Sequence, residues 1–220
     1  MPVAPGPELS AGSAPKQGNR IASATPPAAE VLTIWTAITS DGFSGDGSMA
    51  SRAADLAGGG SAATWAETVA NAVATSGGKL TFGSNLASAL TYVPTTATNI
   101  CASIRVNAST TASAWYLIAM RTNLVSGSAL QLRAVFTNMS VKLGKVINGT
   151  ATYLSGRHTV TAGDLVQVEK VGSTIKLIIN GVTLETVTDS SVTSNAYAGI
   201  ANSSGGGTLT LDDFKIEFGA

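Results

Sequence analysis

The sequence predicts an all-β fold: a two-sheet antiparallel sandwich preceded by an extended, proline-rich N-terminal arm. Three observations carry this prediction. Apolar and polar residues alternate with a period of two in several short segments. Clusters of Gly, Asn and Ser separate those segments, as turns separate strands. Six of the seven prolines lie before residue 28, so the rest of the chain is nearly free of the residue that sheets exclude.

The composition excludes several classes of function. Only 12% of the 220 residues are charged, and 13 basic residues balance 13 acidic ones. A neutral chain is neither a conventional basic nucleic-acid binder nor a charge-extended disordered protein. The single histidine and single cysteine remove most metal-site and redox chemistry and any intramolecular disulfide. The longest strongly apolar run, residues 114–120, is far too short to span a membrane, so we expect neither a nucleic-acid partner nor membrane insertion.

Residues 1–30 are predicted to form the arm, and residues 31–220 the sandwich. The arm has no hydrophobic periodicity, and its prolines favour an extended, polyproline-like chain. A flexible linker is one interpretation; an anchoring arm that orders on a partner protein is the one we favour. In that case its candidate partner-binding residues are Pro5, Pro7, Pro15, Arg20, Pro26 and Pro27.

The strand predictions come from alternation and turn residues. Leu130, Leu132, Ala134 and Phe136 alternate with more polar positions, and residues 100–107 show the same period. Between residues 165 and 187, Gly172-Ser173 and Asn180-Gly181 divide three apolar runs. Asn-Gly is the strongest short hairpin signal because both residues tolerate positive φ. These runs therefore predict a three-stranded meander.

Three further segments have distinct predictions. Residues 113–121 are apolar on both faces, which indicates a buried central strand. Near the C-terminus the apolar phase flips, and a β-bulge at Asp212-Asp213 accounts for the flip. Residues 49–57 could form one short helical turn before the Gly58-Gly59-Gly60 triplet.

The charges are unevenly distributed along the chain. Residues 68–163 hold seven basic residues and no acidic one, whereas both flanking segments are acidic. This pattern predicts either a basic face for an acidic partner, or charges that cancel in space because the strands of a sandwich interleave. We favour cancellation.

Two blocks of sequence carry a family resemblance. The first runs from Thr39 to Trp65 and contains Asp41-Gly-Phe43; the second runs from Ala162 through Asn180-Gly181 to Leu211-Asp-Asp-Phe214. Together they resemble the concanavalin A-like lectin/glucanase (laminin-G-like) jelly rolls found in bacteriophage virion proteins. The resemblance covers about residues 31–220. It implies paired terminal strands, with Asp41-Gly-Phe43 starting the first and Asp212–Phe214 starting the last.

The resemblance implies a non-enzymatic virion structural protein at the virion surface. The arm would dock a capsid decoration or cement protein on neighbouring subunits, such as major capsid or tail proteins, and the sandwich would be displayed. A homo-oligomer such as a trimer is expected. The alternative is a minor tail or tail-tip protein that binds glycans of the host cell envelope.

Catalytic chemistry is not expected. The related glucanases carry Glu-x-Asp-x-x-Glu on one strand, and no segment of this chain matches it. His158, the only histidine, lacks a nucleophile elbow beside it. Oxygen donors for calcium are limited to Asp41, Asp46, Asp212 and Asp213, for which turn and bulge roles are favoured. We therefore expect no enzyme, no cofactor and no metal.

A glycan-binding site would need exposed aromatic rings. Trp115, Tyr116, Tyr153, His158 and Tyr197 are the candidates. Core packing is favoured for Trp115, as for the other two tryptophans. Only Tyr153 and His158 lie in a Gly/Ser-rich setting typical of a surface, so these two are the predicted glycan-binding residues.

Overall fold

The structure is a computed structural model. It describes residues 35–41, 47–49, 56–57, 66–67, 73–77, 79–82, 90–109, 115–123, 131–137, 139–202 and 209–219. Within these ranges the regular structure is entirely β, arranged as two antiparallel sheets. The predicted all-β sandwich is therefore confirmed. The predicted arm and its six candidate residues lie outside the described ranges, so the arm and its boundary stay predictions.

The first sheet contains ten described strands. They are β1 (Trp35–Asp41), β2 (Gly47–Ser48), β3 (Leu56–Ala57), β5 (Val73–Ser76), β6 (Lys79–Phe82), β8 (Ile100–Ser109), β14 (Leu165–Val171), β15 (Thr174–Ile179), β16 (Val182–Thr188) and β18 (Leu209–Gly219). Their order is β16-β15-β14-β8-β18-β6-β5-β2, with β1 also paired to β18 and β3 paired to β1.

The second sheet contains eight described strands. They are β4 (Ala66–Glu67), β7 (Leu90–Pro94), β9 (Trp115–Arg121), β10 (Gln131–Phe136), β11 (Ser140–Ile147), β12 (Thr150–Tyr153), β13 (His158–Thr159) and β17 (Tyr197–Asn202). Their order is β12-β11-β10-β9-β17-β7-β4, and β13 pairs with β11. Strands β9 to β13 are consecutive in the chain and all belong to this sheet.

The hydrophobic core lies between the two sheets. Alternate residues of the central strands face inward, as the period of two predicts. The inward residues of β8 expose at most 1% of their surface; they are Ile100, Ala102, Ile104 and Val106. On the core side of the second sheet, Trp115 of β9 stacks on Phe136 of β10, with ring centroids 3.6 Å apart and planes within 7°. The prediction that β9 is central and that Trp115 packs in the core is therefore confirmed; the side chains of the other two tryptophans lie outside the described part.

The predicted meander at residues 165–187 is confirmed by strands β14, β15 and β16. Both of its turns use left-handed backbone: φ is +57° at Gly172, +51° at Asn180 and +79° at Gly181. Asn180 also binds the turn to the start of β14. Its Oδ1 accepts a hydrogen bond from the backbone N–H of Leu165, and its Nδ2 donates one to the carboxylate of Asp164. The Asn-Gly pair thus provides both the turn conformation and a side-chain clamp.

The C-terminal strand contains the predicted bulge. The register between β18 and β8 shifts between Asp212 and Lys215, and Asp213 has a φ of +49°. Asp213 Oδ2 lies 2.7 Å from Nε of Arg105 on the neighbouring strand. The bulge therefore turns a carboxylate toward a cation while Phe214 returns to the core.

Two local predictions are corrected by strand pairing. The terminal strands do pair, but Asp41 ends β1 instead of starting it, because the ladder with β18 already begins at Trp35 opposite Gly219. The helical turn predicted over residues 49–57 is wrong at its C-terminal end, since Leu56–Ala57 form β3 against β1. Residues 50–55 lie outside the described part.

Within the described part of the chain, no helix has the length and apolar character to cross a membrane.

The single thiol is expected to be unreactive in the native protein. Cys101 is 3% exposed on β8, and burial, followed by the charges of Glu217 and Glu169, raises its pKa to about 12. Because the thiolate is the nucleophile, iodoacetamide at pH 8 should leave the native chain unmodified and label it in 8 M urea. Mass spectrometry of the intact chain measures the modification. Native labelling as fast as that of free cysteine would contradict the buried position.

Candidate functional site

The outer face of the second sheet carries a concentration of tyrosines and cations. On β9, Trp115 and Leu117 face the core. Because side chains alternate along a strand, Tyr116 and Ile118, which follow them, face outward. Cross-strand partners share a face, which extends the set to neighbouring strands. We call the result the tyrosine–arginine face; it consists of Tyr92, Tyr116, Arg121, Arg133, Lys142, Tyr153 and Tyr197.

Strand register places these residues in rows across the sheet. One row runs through directly paired positions on six strands: Tyr153, Gly144, Arg133, Ile118, Gly199 and Tyr92. On one side of it lie Lys142, Val135 and Tyr116, and on the other Gln131, Arg121 and Tyr197. Tyr92 and Gly199, which are 107 positions apart in the chain, thus share one row.

The tyrosine rings pack against apolar residues and glycine on the outer surface of the sheet. Ile118 and Ala201 are buried there, with Tyr92 and Tyr116 packed against them. The rings of Tyr92 and Tyr197 meet edge to face, with centroids 5.0 Å apart. A Cβ at Gly144 would lie 3.2 Å from Cγ2 of Val135 and 3.7 Å from Cδ1 of Tyr153, so glycine lets the tyrosine ring lie close to the sheet.

Cations lie directly on two of the rings. Cζ of Arg133 is 3.9 Å from the ring centroid of Tyr116, and Nζ of Lys142 is 3.1 Å from that of Tyr153. Both distances are within the range of cation–π attraction. Tyr153 nevertheless keeps 57% of its surface exposed. The prediction that Tyr153 lies at the surface is therefore confirmed.

Burial affects the two arginines. It lowers the pKa of Arg133, and it lowers the pKa of Arg121 together with the neighbouring charge of Arg133. Nε of Arg121 donates to the carbonyl of Asn123 at 2.6 Å. Nε of Arg133 is buried and has no hydrogen-bond partner in the part of the chain that the structure describes. One donor at the centre of the face is thus left without an acceptor.

The favoured prediction that the charges cancel holds for Arg105 and Lys145, which pair with Asp213 and Asp189, but among the described residues no carboxylate pairs with Arg121, Arg133 or Lys142. Strands β9 to β13 follow one another within the second sheet and bring Arg121, Arg133, Lys142 and Lys145 to it. On its described strands the only acidic residue is Glu67. The acidic residues after position 164 that lie on described strands all belong to the first sheet. Consecutive strands stay in one sheet here, so a charge bias along the chain becomes a charge bias in space.

His158 is placed differently from the prediction. It lies on β13, is half-buried, and its Nε2 is 2.7 Å from Oε1 of Glu185 on the first sheet. Its strand partner Val141 faces the core, whereas Tyr153 pairs with Gly144 on the outer face. The fold therefore does not bring the two predicted glycan-binding residues together: His158 joins the edges of the two sheets.

The candidate calcium ligands do not form a site in the described residues. Asp213 is engaged by Arg105, and Asp212 accepts from the backbone N–H of Asp213. The side chains of Asp41 and Asp46 lie outside the described part. Within that part, no group of three His, Cys, Asp or Glu side chains is arranged to hold a metal ion.

Sequence reasoning identified Tyr153 and named Tyr116 and Tyr197, but it missed Tyr92 and the three cations. One signal for Arg133 was present: it occupies an outward position in the same alternation that identified β10. The contributions of Tyr92 and Lys142 depend on register between strands that are distant in sequence, which alternation alone does not reveal.

No protein-family model matches the sequence, and no curated protein matches it. Solved structures do match. The laminarinase from Rhodothermus marinus superimposes with a TM-score of 0.61 at 14% identity, covering 86% of this chain and 100% of that chain. The fold is shared with laminarinases. The endo-β-1,3-glucanase from Pyrococcus furiosus matches with a TM-score of 0.59 at 11% identity, covering 84% of this chain and 95% of that one. The carbohydrate-binding module CBM66 from Bacillus subtilis matches with a TM-score of 0.51 at 13% identity, covering 79% and 95%.

These matches confirm the concanavalin A-like jelly roll and correct the function expected from it. The prediction of a non-enzymatic virion structural protein is contradicted, because the matching structures are β-glucanases and a carbohydrate-binding module. The expectation that the chain is not an enzyme is contradicted by the same glucanases. The resemblance to virion proteins rested on a fold that serves many functions, and fold alone does not select among them.

Proposed function

We propose that this protein acts on carbohydrate and binds a glycan on the tyrosine–arginine face. The observation that carries the proposal is the gathering of four tyrosine rings and three cations on one face of the second sheet. The solved structures that share the fold support it, since they include a carbohydrate-binding module and several glucanases.

The chemistry of the face suits a sugar. A pyranose ring presents C–H groups on its flat face and hydroxyls at its edge, so it needs an apolar aromatic surface beside polar donors. Tyr153 offers the exposed ring, and Tyr116 and Tyr92 extend the aromatic surface across the sheet. Arg133 and Lys142 provide donors to hydroxyl oxygens within the same rows. Stacking on the tyrosines would hold the sugar ring, and hydrogen bonds from the cations would select the orientation of that sugar.

Hydrolysis of a β-glucan is the second candidate function, and the match to laminarinases favours it. Glycoside hydrolysis requires two carboxylates flanking the scissile bond. Glu67 is the acidic residue on the described strands of the second sheet, and Asp46 and Asp55 lie outside the described ranges. Release of reducing ends from laminarin would establish hydrolysis; unchanged laminarin would confine the activity to binding.

Replacing Tyr153 by alanine should weaken glycan binding about tenfold, because it removes the exposed ring and leaves the core intact. Affinity electrophoresis of the full chain through gels containing laminarin, xylan or dextran measures the retardation.

Phe218→Ala is the matched control, since Phe218 is an aromatic residue 39% exposed on the first sheet. We expect this variant to bind like the unmodified chain. Equal losses in both variants, or no retardation in any gel, would count against the tyrosine–arginine face as the binding site.

A further inference from the structure

Resting on the proposed function, we propose that the glycan recognised by this face is anionic: a polysaccharide that carries carboxylate or sulfate groups. The observation behind it is a line of three cations, Arg121, Arg133 and Lys142, that crosses three neighbouring strands and has no partner carboxylate among the described residues.

The register defines the line. Arg133 on β10 is opposite Ile118 on β9 and Gly144 on β11. Lys142 lies two residues from Gly144 in one direction, opposite Val135. Arg121 pairs with Gln131, two residues from Arg133 in the other direction. Each cation is thus the diagonal neighbour of the next, about 7–8 Å apart at the backbone, and the three follow one diagonal of the sheet.

Four cations elsewhere in the described part of the sandwich have carboxylate partners. On the first sheet, Arg105 pairs with Asp213 at 2.7 Å, Lys176 with Glu169 at 3.0 Å and Lys215 with Glu217 at 2.6 Å. Lys145 of the second sheet pairs with Asp189. Among the described residues, no carboxylate comes within ion-pair distance of Arg133 or Lys142; each lies on a tyrosine ring instead.

The centre of the line lacks an acceptor as well as a counter-charge. Nε of Arg133 is buried and has no hydrogen-bond partner among the described residues, which is costly for a charged donor. The charge of Arg133 also contributes to the lowered pKa of Arg121, after burial, so the two guanidinium groups repel each other. A neutral sugar hydroxyl could not offset these two charges. A carboxylate or sulfate group that lies against the accessible parts of the cations does.

The surrounding rings and the overall charge favour a glycan over a nucleic acid. Aromatic rings beside cations also bind single-stranded nucleic acid, but such proteins line a long groove with positive charge. Here the cations number three on a face of a chain whose net charge is zero and whose isoelectric point is about 6.6. Short anionic substituents on a sugar chain fit this limited charge.

The test compares polymers that share one backbone. Laminarin, carboxymethyl laminarin and sulfated laminarin, and the matching dextran series, are titrated into the full chain by calorimetry at 0.15 M NaCl. We expect at least one anionic derivative to bind about tenfold or more tightly than its neutral parent. The carboxymethyl and sulfated arms show which anion is preferred.

Substitutions on the line provide the matched controls. Arg133→Gln and Lys142→Gln should each lower affinity for the anionic polymer about tenfold and lower affinity for the neutral parent by a clearly smaller factor, because only the anionic polymer loses a charge contact as well as a hydroxyl contact. Arg105→Gln and Lys176→Gln make the same charge changes on the first sheet and should alter neither affinity by more than about twofold. Near-UV circular dichroism confirms that each variant keeps the native packing.

Three outcomes would overturn the inference. Equal affinity for neutral and anionic polymers would show a glycan face without charge selection and would leave the proposed function standing. An equal loss in the first-sheet variants would show general charge attraction, as would binding of an oligothymidylate as tightly as the sulfated polymer. Binding to no polymer of either series would overturn the proposed function itself.

Discussion

Replacing Trp115 by alanine should lower the free energy of unfolding by about 4 kcal/mol, the scale of buried Trp-to-Ala substitutions. The side chain is 4% exposed, and its ring stacks on Phe136 of the neighbouring strand, 3.6 Å away. The two residues are direct cross-strand partners at the ends of β9 and β10. Alanine would remove both the ring stacking and the volume that fills the space between the sheets, and strands held by ladders on both sides cannot collapse to close the cavity.

Urea unfolding followed by far-UV circular dichroism measures this change. Trp115→Phe is the graded control, because it keeps an aromatic ring against Phe136 and should cost roughly half as much or less. A loss below about 1 kcal/mol for Trp115→Ala would contradict a filled core at this position.

Replacing Asn195 by alanine should lower the free energy of unfolding by about 3 kcal/mol, because it removes three hydrogen bonds and leaves buried groups unpaired. The side chain is 9% exposed. Its Oδ1 accepts from the backbone N–H of Arg121 at 3.0 Å and of Tyr197 at 3.2 Å. Its Nδ2 donates to the carbonyl of Ala97 at 3.2 Å. One amide thus joins the ends of β9 and β17 to the segment that follows β7.

The same substitution should weaken glycan binding, since Arg121 and Tyr197 belong to the tyrosine–arginine face. Asn195→Asp keeps both accepting contacts but buries a carboxylate and sets an oxygen against the carbonyl oxygen of Ala97, so its stability loss should be as large, about 3 kcal/mol. Thermal and urea unfolding measure stability, and calorimetry against the polymer identified for the native chain measures binding. A fully stable Asn195→Ala variant with normal affinity would contradict the bridging role.

The two sheets use their charged residues differently. The described strands of the first sheet pair most of their cations with carboxylates, so that sheet presents a balanced surface. On the second sheet, the outward cations Arg133 and Lys142 lie on tyrosine rings. Cation–π contacts attract without neutralising, which leaves the charge of Arg133 and Lys142 available to a ligand. This difference supports the proposal that a ligand binds on the second sheet.

Much of the fold could be predicted because its signals are local. The alternation through Leu132 and Ala134 identified β10, and Asn180-Gly181 located a hairpin turn. The phase flip at Asp212-Asp213 identified the bulge for the same reason: a bulge moves one residue to the other face and leaves its mark within a few positions. Short segments such as Leu56–Ala57 have no such signal, and only pairing with β1 makes them strands.

The candidate site was predictable only in part. Tyr153 could be placed at the surface from its polar neighbours, and that placement is confirmed. His158 has similar neighbours in sequence, yet Glu185 of the other sheet holds it at the sandwich edge. Nothing local distinguishes the two residues. The function expected from the fold resemblance failed for a related reason, since a jelly roll is stabilised by its core while its activity depends on whatever side chains its faces carry.

By itself, the sequence determined several of the strands, where several turns lie, and that a block of nearly one hundred residues is basic. The tertiary structure decided which strands are neighbours, and therefore that Arg121, Arg133 and Lys142 lie on one diagonal among tyrosines from four other positions in the chain. The physical reason is that alternation follows from the geometry of a single strand, whereas register and sheet membership follow from burying both inner faces at once.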